Sequence, residues 1–287
     1  AELLLQKNFE VTVVDDLSSG SRANTPKNTR LVKASFFDEA VLHKELSGVE
    51  SVFHLAGIVG VQYSLAHPEE TRRVNVEGTA ALLEACKAAG VRSFVFASSA
   101  SVYGNKPKKE KQKESDELRP ESPYAESKVE GEKLVAKASA FMNSCSLRLF
   151  NVYGPRQPIC GEYSAVVPSF VNAALRGKPI TVFGGSQTRD FIFVRDAARA
   201  FLLASRAAAS GKAFNVASGK SISILELARK VKTLTRSNSQ IKFAPERASE
   251  VRFSEADVSL ARRELGFRAR YSLNEGLAET IAYFKKL

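Results

Sequence analysis

The sequence has few metal-binding residues and no membrane-spanning segment. The cysteines, Cys86, Cys145 and Cys160, are scattered through 287 residues, and the three histidines form no i, i+4 pair. These spacings do not fit a metal site, and so few scattered thiols indicate a reducing compartment. No run of about 18 apolar residues occurs, and the N-terminus lacks the basic start and small-residue cleavage site of a signal peptide. We therefore expect a cytoplasmic protein without bound metal.

Acidic residues are outnumbered, and the net charge is +11. Much of the excess lies in the segment 106–113 (KPKKEKQK), which we interpret as a solvated loop. No aromatic residue alternates with these lysines, so a stacking surface for single-stranded nucleic acid is not indicated. The remaining positive charge is spread out and fits a diphosphate-bearing small molecule. We expect no nucleic-acid partner.

Strand-like and helix-like patterns alternate over the first half of the chain. The patterns predict strands at 10–14, 29–34, 51–56, 93–97 and 144–151, and helices at 1–7, 37–46, 69–89 and 124–139. The strands are apolar on both faces, which requires a parallel sheet covered by helices. The sequence therefore predicts a doubly wound α/β fold of the Rossmann type.

Prolines interrupt the pattern after about residue 151, and the elements become mixed. Strands are predicted at 180–183, 190–194 and 213–216, and helices at 197–208, 224–234 and 259–265. We predict a dinucleotide-binding domain over 1–153 and a smaller, mixed α/β substrate domain over 154–287. A segment near 188–217 is predicted to return to the first domain.

Tyr124 and Lys128 carry the strongest chemical signal. Side chains at i and i+4 share one face of a helix, and a nearby ammonium favours the phenolate. Such a pair can take a proton from a substrate hydroxyl while a cofactor takes the hydride. Alone, the spacing is also typical of an exposed helix pair. Its context favours chemistry, because Ser99 ends the strand before it and active groups collect at the carboxyl ends of strands.

The chain resembles the extended short-chain dehydrogenase/reductases, within them the NAD-dependent epimerase/dehydratase family and its UDP-glucose 4-epimerase-like members. The stretches that carry this resemblance occur in family order over nearly the whole chain: VTVVDDLSSG (11–20), HLAG (54–57), VNVEGT (74–79), SSASVYG (98–104), PYAESK (123–128), LRLFNVYGPRQ (147–157), GGSQTRDFIFVRD (184–196) and EADVSLARRELGF (255–267). Each stretch is weak alone, and together they are specific.

The resemblance implies that the cofactor is NAD, and it assigns roles residue by residue. Tyr124 is the expected base, Lys128 holds the nicotinamide ribose, and Ser99 bonds the sugar hydroxyl. Asp15 is expected on the adenosine ribose, with the other cofactor contacts at Asp16, Leu17, Ser18, Ser19, Gly20, Ser35, Phe36, Leu55, Ala56, Gly57, Ile58 and Phe150. The expected nucleotide-sugar contacts are Asn151, Val167, Arg189, Arg247 and Ser254, with the two arginines on the diphosphate.

The family's opening segment has no counterpart in the sequence. Relatives begin with a strand and a glycine-rich loop that carries the pyrophosphate, whereas this sequence starts inside the helix that follows. We expect an N-terminally truncated chain that lacks the first strand and Gly-rich loop, on the order of 15–20 residues. We also expect such a chain to bind NAD weakly.

The residues after Ser99 discriminate between reactions. Dehydratases and decarboxylases of the family carry an acid there, whereas this chain has Ala100 and Ser101. We therefore expect an enzyme that epimerises a UDP-hexose at C4 through a transient 4-keto sugar. The alternatives are another nucleotide-sugar epimerase or dehydratase, or a non-catalytic NAD-sensing protein on the same fold.

Two further expectations concern substrate and assembly. Ser254 falls at a position that limits bulk on the sugar's 2-substituent, and a serine leaves room for an N-acetyl group. UDP-glucose, UDP-galactose and UDP-N-acetylhexosamines are therefore the expected substrates, in galactose metabolism. By resemblance only, the helices 69–89 and 124–139 pair across the axis of a homodimer.

Overall fold

The computed structural model describes residues 1–105, 110–159, 165–246 and 251–287. Its strands are β1 (Thr12–Val14), β2 (Arg30–Val32), β3 (Ser51–His54), β4 (Ser93–Ser99), β5 (Asn143–Leu149), β6 (Asn151–Tyr153), β7 (Ile180–Phe183), β8 (Thr188–Phe193), β9 (Ala213–Val216), β10 (Ser221–Ser223) and β11 (Ile241–Ala244). Its α-helices are α1 (Glu2–Leu5), α2 (Glu39–Glu45), α3 (Val61–Ala66), α4 (Pro68–Arg72), α5 (Gly78–Ala88), α6 (Pro123–Ala138), α7 (Val166–Leu175), α8 (Val194–Arg206), α9 (Ile224–Thr235), α10 (Ser259–Glu264) and α11 (Leu273–Phe284). A π-helical turn, Arg73–Glu77, joins α4 to α5, and 3₁₀ helices occupy Arg22–Asn24 and Ala100–Tyr103.

Parallel strands form the central sheet, in the order β3–β4–β5–β9. β1 and β2 also pair in parallel, in a separate two-stranded sheet. Connections with α-helices link β3 to β4 and β4 to β5, whereas β1 and β2 are joined through the 3₁₀ helix Arg22–Asn24. The predicted parallel α/β architecture is thereby confirmed.

Helices cover both faces of the central sheet, because successive side chains of β4 point in opposite directions. Phe94 and Phe96 pack into a core with side chains from α5 and α6. Val95 and Ala97 pack on the other face, in a core to which α8 contributes. All four side chains are buried, so β4 is apolar on both sides, as the sequence predicts for a central strand.

The position of α6 against β4 depends on a glycine. The helix begins at Pro123, and the side chain of Ser122 accepts a hydrogen bond from the Ala125 amide as the N-cap. Two turns on, a Cβ on Gly131 would lie only 2.6 Å from Cζ of Phe96. Gly131 therefore lets α6 approach the β4 side chains more closely than any other residue would.

The later half of the chain builds two smaller sheets. β8 pairs in parallel with β6 and antiparallel with β10, while β7 and β11 form a parallel pair. A separate apolar core unites α7, α9 and α11 with these strands. The sequence patterns did not predict α7, α11, β10 or β11. The domain division near residue 153 stays a prediction, and β9 lies within the range 188–217 predicted to return.

Part of the lysine-rich segment 106–113 is packed. Residues 106–109 lie outside the described residues, but Gln112 is buried and exchanges backbone hydrogen bonds with Glu255 and Asp257. Lys111 pairs with Glu255 at 3.2 Å. For Gln112 the interpretation as a solvated loop was wrong, because its backbone pairs with a part of the chain more than a hundred residues away. Within the described ranges, no helix combines the length and apolarity that a membrane span needs.

Gly131→Ala should destabilise the protein. Alanine gains about 1 kcal/mol of helix propensity over glycine. Overpacking against the rigid Phe96 ring costs about 1–3 kcal/mol, so the net change is a loss of about 1 kcal/mol. Urea denaturation measures this difference. Glu126→Ala, at an exposed position of the same helix, is the control and should change stability by less than about 0.5 kcal/mol. A Gly131→Ala variant more stable than the unmodified protein would contradict the close approach.

Candidate active site

Ser99, Tyr124 and Lys128 come together where β4 ends over the first turns of α6. The Lys128 ammonium donates a hydrogen bond to the Ala97 carbonyl oxygen at 2.9 Å. It lies 5.8 Å from the centre of the Tyr124 ring. Tyr124 in turn hydrogen-bonds the side chain of Ser99. The predicted triad is therefore assembled in space, with the base candidate between the serine and the lysine.

Burial controls the protonation of this group. It lowers the pKa of Lys128 to about 8, and it raises the pKa of Tyr124, although the bond from Ser99 opposes that rise. The expected lowering of the pKa of Tyr124 was therefore wrong for the protein alone, because burial of the phenol outweighs the interactions that favour the phenolate.

The Lys128 ammonium lies near two aromatic rings, those of Phe96 and Tyr124. Lys128 lies 4.9 Å from the centre of the Phe96 ring, and such a contact stabilises a partly desolvated cation. His54, next to Phe96, is buried and bonds Thr79 at 2.9 Å. Burial and then the Lys128 charge lower the pKa of His54 to about 3, so the imidazole is neutral at physiological pH. Of His54 and Lys128, only Lys128 therefore carries a positive charge at this site.

Asn75 is a site residue that the sequence reasoning missed. Its side-chain oxygen accepts a hydrogen bond from the Ile58 amide at 2.7 Å, and its amide nitrogen donates to the Ile58 carbonyl and the Ser127 hydroxyl. It lies in the π-helical turn, a feature frequent at functional sites. The signal was present in the stretch VNVEGT. Asn75 ties the segment after β3 to α6, beside Lys128.

Gly57 keeps the space in front of Lys128 open. Its φ is +148°, and a Cβ there would meet the Asn75 side-chain oxygen at 2.8 Å. The same Cβ would lie 4.0 Å from the Lys128 nitrogen. The adjacent Leu55 and Val59 are about three-fifths exposed. An open glycine step beside an ammonium leaves room for part of NAD, and the contact of Lys128 with the nicotinamide ribose stays a prediction.

Another group of predicted cofactor residues lies at the carboxyl ends of β1 and β2. The Asp15 carboxylate accepts a hydrogen bond from the Leu17 amide at 2.8 Å, and that bond shapes the loop through Gly20. The Asp15 amide donates a hydrogen bond to the carbonyl of residue 32, and the Asp15 carbonyl accepts one from the amide of residue 34. Ser35 is the next residue and therefore lies close to Asp15. Phe36 then contacts the His54 ring, with 4.9 Å between centres, and so brings this edge to the end of β3.

The remaining predicted cofactor contacts differ in exposure. Asp16 and Ser18 bond each other on the exposed loop, with Ser19 next to them. Ala56 and Ile58 are half-buried. Phe150 is buried in a core beside Tyr103, and its cofactor contact stays a prediction.

Three predicted substrate residues line one cavity of about 300 Å³. They are Asn151, Val167 and Arg189. The guanidinium of Arg189 donates to the Val251 carbonyl at 2.6 Å, and Asn151 donates to the Asp190 carbonyl at 3.2 Å. Ser254 lies on the neighbouring segment, buried, with its amide bonded to the Thr188 carbonyl. Arg247 lies outside the described residues.

Asp190 connects separate segments of the chain on this side of the site. Sequence reasoning assigned it no role, although it lies in the quoted stretch GGSQTRDFIFVRD. Its carboxylate is fully buried and accepts hydrogen bonds from the Ser218, Gly219 and Ala256 amides and from the Ser218 hydroxyl. Burial raises its pKa to about 6 against these bonds. One side chain thus anchors the loop after β9 and the segment that carries Ser254.

Metal chemistry has no site among the described residues, where no three His, Cys, Asp or Glu side chains cluster. Cys86 and Cys145 are buried free thiols, and burial raises the pKa of each to about 12. Cys160 lies outside the described residues.

A parallel α/β sheet with a Ser–Tyr–Lys group at a strand end defines a short-chain dehydrogenase/reductase-type enzyme. The family model for the NAD dependent epimerase/dehydratase family matches residues 1–217. The chain belongs to this family, and NAD is its cofactor.

Individual relatives extend the likeness over the whole chain. A UDP-glucose 4-epimerase of Mycolicibacterium smegmatis is 37% identical, over 98% of this chain and 93% of the relative. A UDP-N-acetyl-alpha-D-glucosaminuronate decarboxylase of Bacillus cytotoxicus is 31% identical, over 100% and 94%.

Solved structures show the same likeness. The UDP-glucose 4-epimerase of Thermotoga maritima, solved with UDP-glucose, has a TM-score of 0.94 at 33% identity, over 99% of this chain and 94% of that chain. A UDP-N-acetylglucosamine 4-epimerase of Methanobrevibacter ruminantium, solved with UDP-N-acetylmuramic acid, has a TM-score of 0.91 at 34% identity, over 96% and 91%.

Lys128→Met should change how stability depends on pH. Lys128 has a pKa of about 8 in the folded protein and 10.5 as its ordinary value, so between these values the unfolded chain binds the extra proton. The unmodified protein should therefore gain about 1–2 kcal/mol relative to Lys128→Met between pH 7 and 9.5. Urea denaturation at both pH values measures this gain.

Lys137→Met is the matched control, because Lys137 lies exposed on the same helix and its ammonium stays in water in both states. It should reproduce the pH dependence of the unmodified protein. A Lys128→Met difference that is constant with pH would refute the burial of a titrating ammonium.

Proposed function

We propose that the protein epimerises UDP-hexoses at C4, with Tyr124 as the base that removes the 4-hydroxyl proton. The observation that carries this proposal is the group described above, in which Tyr124 lies between Ser99 and Lys128 at the end of β4. A hydroxyl placed at this group can bond Ser99 while Tyr124 accepts its proton. When bound, NAD would take up and return the hydride, and its positive charge would favour the phenolate form of the base.

The proposed cycle uses the chain's own residues in both directions. Tyr124 takes the proton as the substrate is oxidised to a 4-keto sugar. The same hydroxyl returns the proton once the sugar has turned over and is reduced on its opposite face. Lys128 holds the ribose. The positive charge of the bound cofactor favours the phenolate form of Tyr124. No net oxidation occurs, so one cofactor serves repeated turnovers.

The residues after Ser99 favour epimerisation over elimination. Ala100 and Ser101 are the first residues of the 3₁₀ helix. Neither side chain has a carboxyl group, so neither can protonate a leaving group. The Ser101 hydroxyl is buried and has no hydrogen-bond partner among the described residues. Elimination or decarboxylation of the kind named for one relative would therefore lack its acid at this position.

The substrate's nucleotide is proposed to bind in the cavity lined by Asn151, Val167 and Arg189. Arg189 is the expected diphosphate ligand, because a planar guanidinium matches phosphate oxygens, and Arg247 is proposed to join it. We also propose a homodimer in the cytoplasm that acts in galactose metabolism. The support for these points is the resemblance and, for the compartment, the two buried free thiols.

Tyr124→Phe should abolish epimerisation. Loss of a positioned base costs about 10²–10⁴-fold in turnover. Conversion of UDP-galactose, followed by product chromatography, measures the loss. Binding of UDP, measured by calorimetry, is the control and should stay within about twofold, because the proposed nucleotide cavity does not include Tyr124. Residual turnover above a tenth of the original rate would rule out Tyr124 as the base.

Ser254→Tyr should separate two substrate classes. Ser254 is buried, so a tyrosine ring there must take space from its surroundings. If the position limits the 2-substituent, kcat/KM for UDP-N-acetylgalactosamine should fall at least about tenfold more than that for UDP-galactose. Ser254→Ala is the control and should retain both activities. Equal losses on both sugars would show that Ser254 is not a gate.

A further inference from the structure

A buried ion pair lies directly behind the proposed catalytic group. Arg148, on β5, donates from Nε and a terminal nitrogen to the Glu132 carboxylate, at 2.9 and 2.8 Å. Arg148 is 5% exposed and Glu132 is 9% exposed. The pair is bidentate and shielded from water, unlike the exposed pair between Arg72 and Glu130 on the outer side of the same helix.

Glu132 holds α6 to the end of β4. Its carboxylate accepts a hydrogen bond from the Ser98 hydroxyl at 2.5 Å. Glu132 lies one turn after Lys128, which bonds the Ala97 carbonyl, and two turns after Tyr124, which bonds Ser99. Three successive turns of α6 therefore contact the last three residues of β4.

Arg148 connects the same helix to the 3₁₀ turn that follows Ser99. Its other terminal nitrogen donates to the Tyr103 hydroxyl at 3.0 Å and to the Glu114 carbonyl at 3.1 Å. Tyr103 is fully buried and donates to Asn215 on β9 at 2.6 Å. Ser99 caps this 3₁₀ helix by accepting from the Ser101 amide. The Arg148 guanidinium thus bonds to Glu132, on the helix that carries Tyr124, and to Tyr103, in the 3₁₀ helix that follows Ser99.

Stability alone does not account for this pair. Replacing a buried ion pair with apolar residues of similar volume is often neutral or stabilising, while its directional bonds can specify one arrangement. Arg148 is also in register with Ser98 on the neighbouring strand, so its backbone is already fixed by the sheet. What the side chains add is a fixed position of α6 relative to the end of β4.

We propose that Glu132 and Arg148 are positioning residues, which hold α6 against β4 so that Tyr124 and Lys128 keep their places beside Ser99. This inference rests on the proposed function for its effect on turnover. It also makes a claim about Lys128 that needs no substrate. With the pair removed, α6 loses its third contact with β4, and the ammonium becomes accessible to reagents.

The test compares an apolar double variant, Glu132→Leu with Arg148→Met, which also removes the acceptor for the Ser98 hydroxyl, with the surface variant Glu130→Gln. Removing both charges avoids leaving one buried ion without a partner, so the double variant should fold, as circular dichroism would show. Its kcat on UDP-galactose should fall about 10–100-fold, because small displacements at a reacting group have effects of this size. UDP affinity should stay within about twofold, which separates displacement of the catalytic group from general damage.

The second readout is the acetylation rate of Lys128, followed by mass spectrometry of the folded proteins. The rate should rise at least about threefold in the double variant and stay unchanged in Glu130→Gln. Should the double variant fail to fold, Ser98→Ala, which removes only the bond to Glu132, takes its place with the same expected increase.

The outcomes keep the two proposals apart. A folded double variant whose kcat and Lys128 acetylation both match the unmodified protein would overturn the positioning role. If the unmodified protein does not epimerise UDP-sugars, the proposed function fails, and the acetylation rates alone decide the positioning role. An equal increase in Glu130→Gln would also overturn it, because the effect would then not depend on the buried pair.

Discussion

The hydrogen bond from Lys128 to the Ala97 carbonyl depends on how closely α6 lies on β4, and the chemistry of the site depends on that bond. Gly131 permits the approach, because any larger residue would meet Phe96. The approach buries the ammonium, and burial lowers the pKa of Lys128 to about 8. The same packing places Tyr124 at the Ser99 side chain. Helix position, protonation and the serine contact are therefore consequences of one interface.

Two cations on neighbouring elements show how differently this interface treats charge. Arg148 is buried with a carboxylate that neutralises it, whereas Lys128, within the described part of the chain, bonds the neutral Ala97 carbonyl and lies beside the Phe96 ring. A buried cation without a counterion is costly, and such groups concentrate at functional sites. The Lys128 charge is therefore available to a ligand, while the Arg148 charge is committed to the protein.

The substrate side is organised by a buried anion. Asp190 accepts hydrogen bonds from the adjacent residues 218 and 219 and from residue 256, which is distant from them in the chain, and so brings the segment of Ser254 to β8. Gln112 joins the same segment from yet another part of the sequence. The proposed nucleotide cavity and the proposed gate therefore share one polar anchor. A sugar bound between them would meet segments whose relative position is fixed in the protein alone.

Local patterns in the sequence were sufficient for the parallel α/β class, for most strands of the first half and for the Ser99, Tyr124 and Lys128 group. These features depend on periodicity of 2 or 3.6 residues, on strand ends and on i, i+4 spacing, all of which are readable along the chain. Tertiary structure decided the rest. Gln112 is polar and follows four lysines, yet pairing with residues 255–257 buries it. Asn75 joins two segments only because the fold brings it into contact with Ile58 and Ser127. The net rise in the pKa of Tyr124 comes from burial, which depends on packing between distant segments.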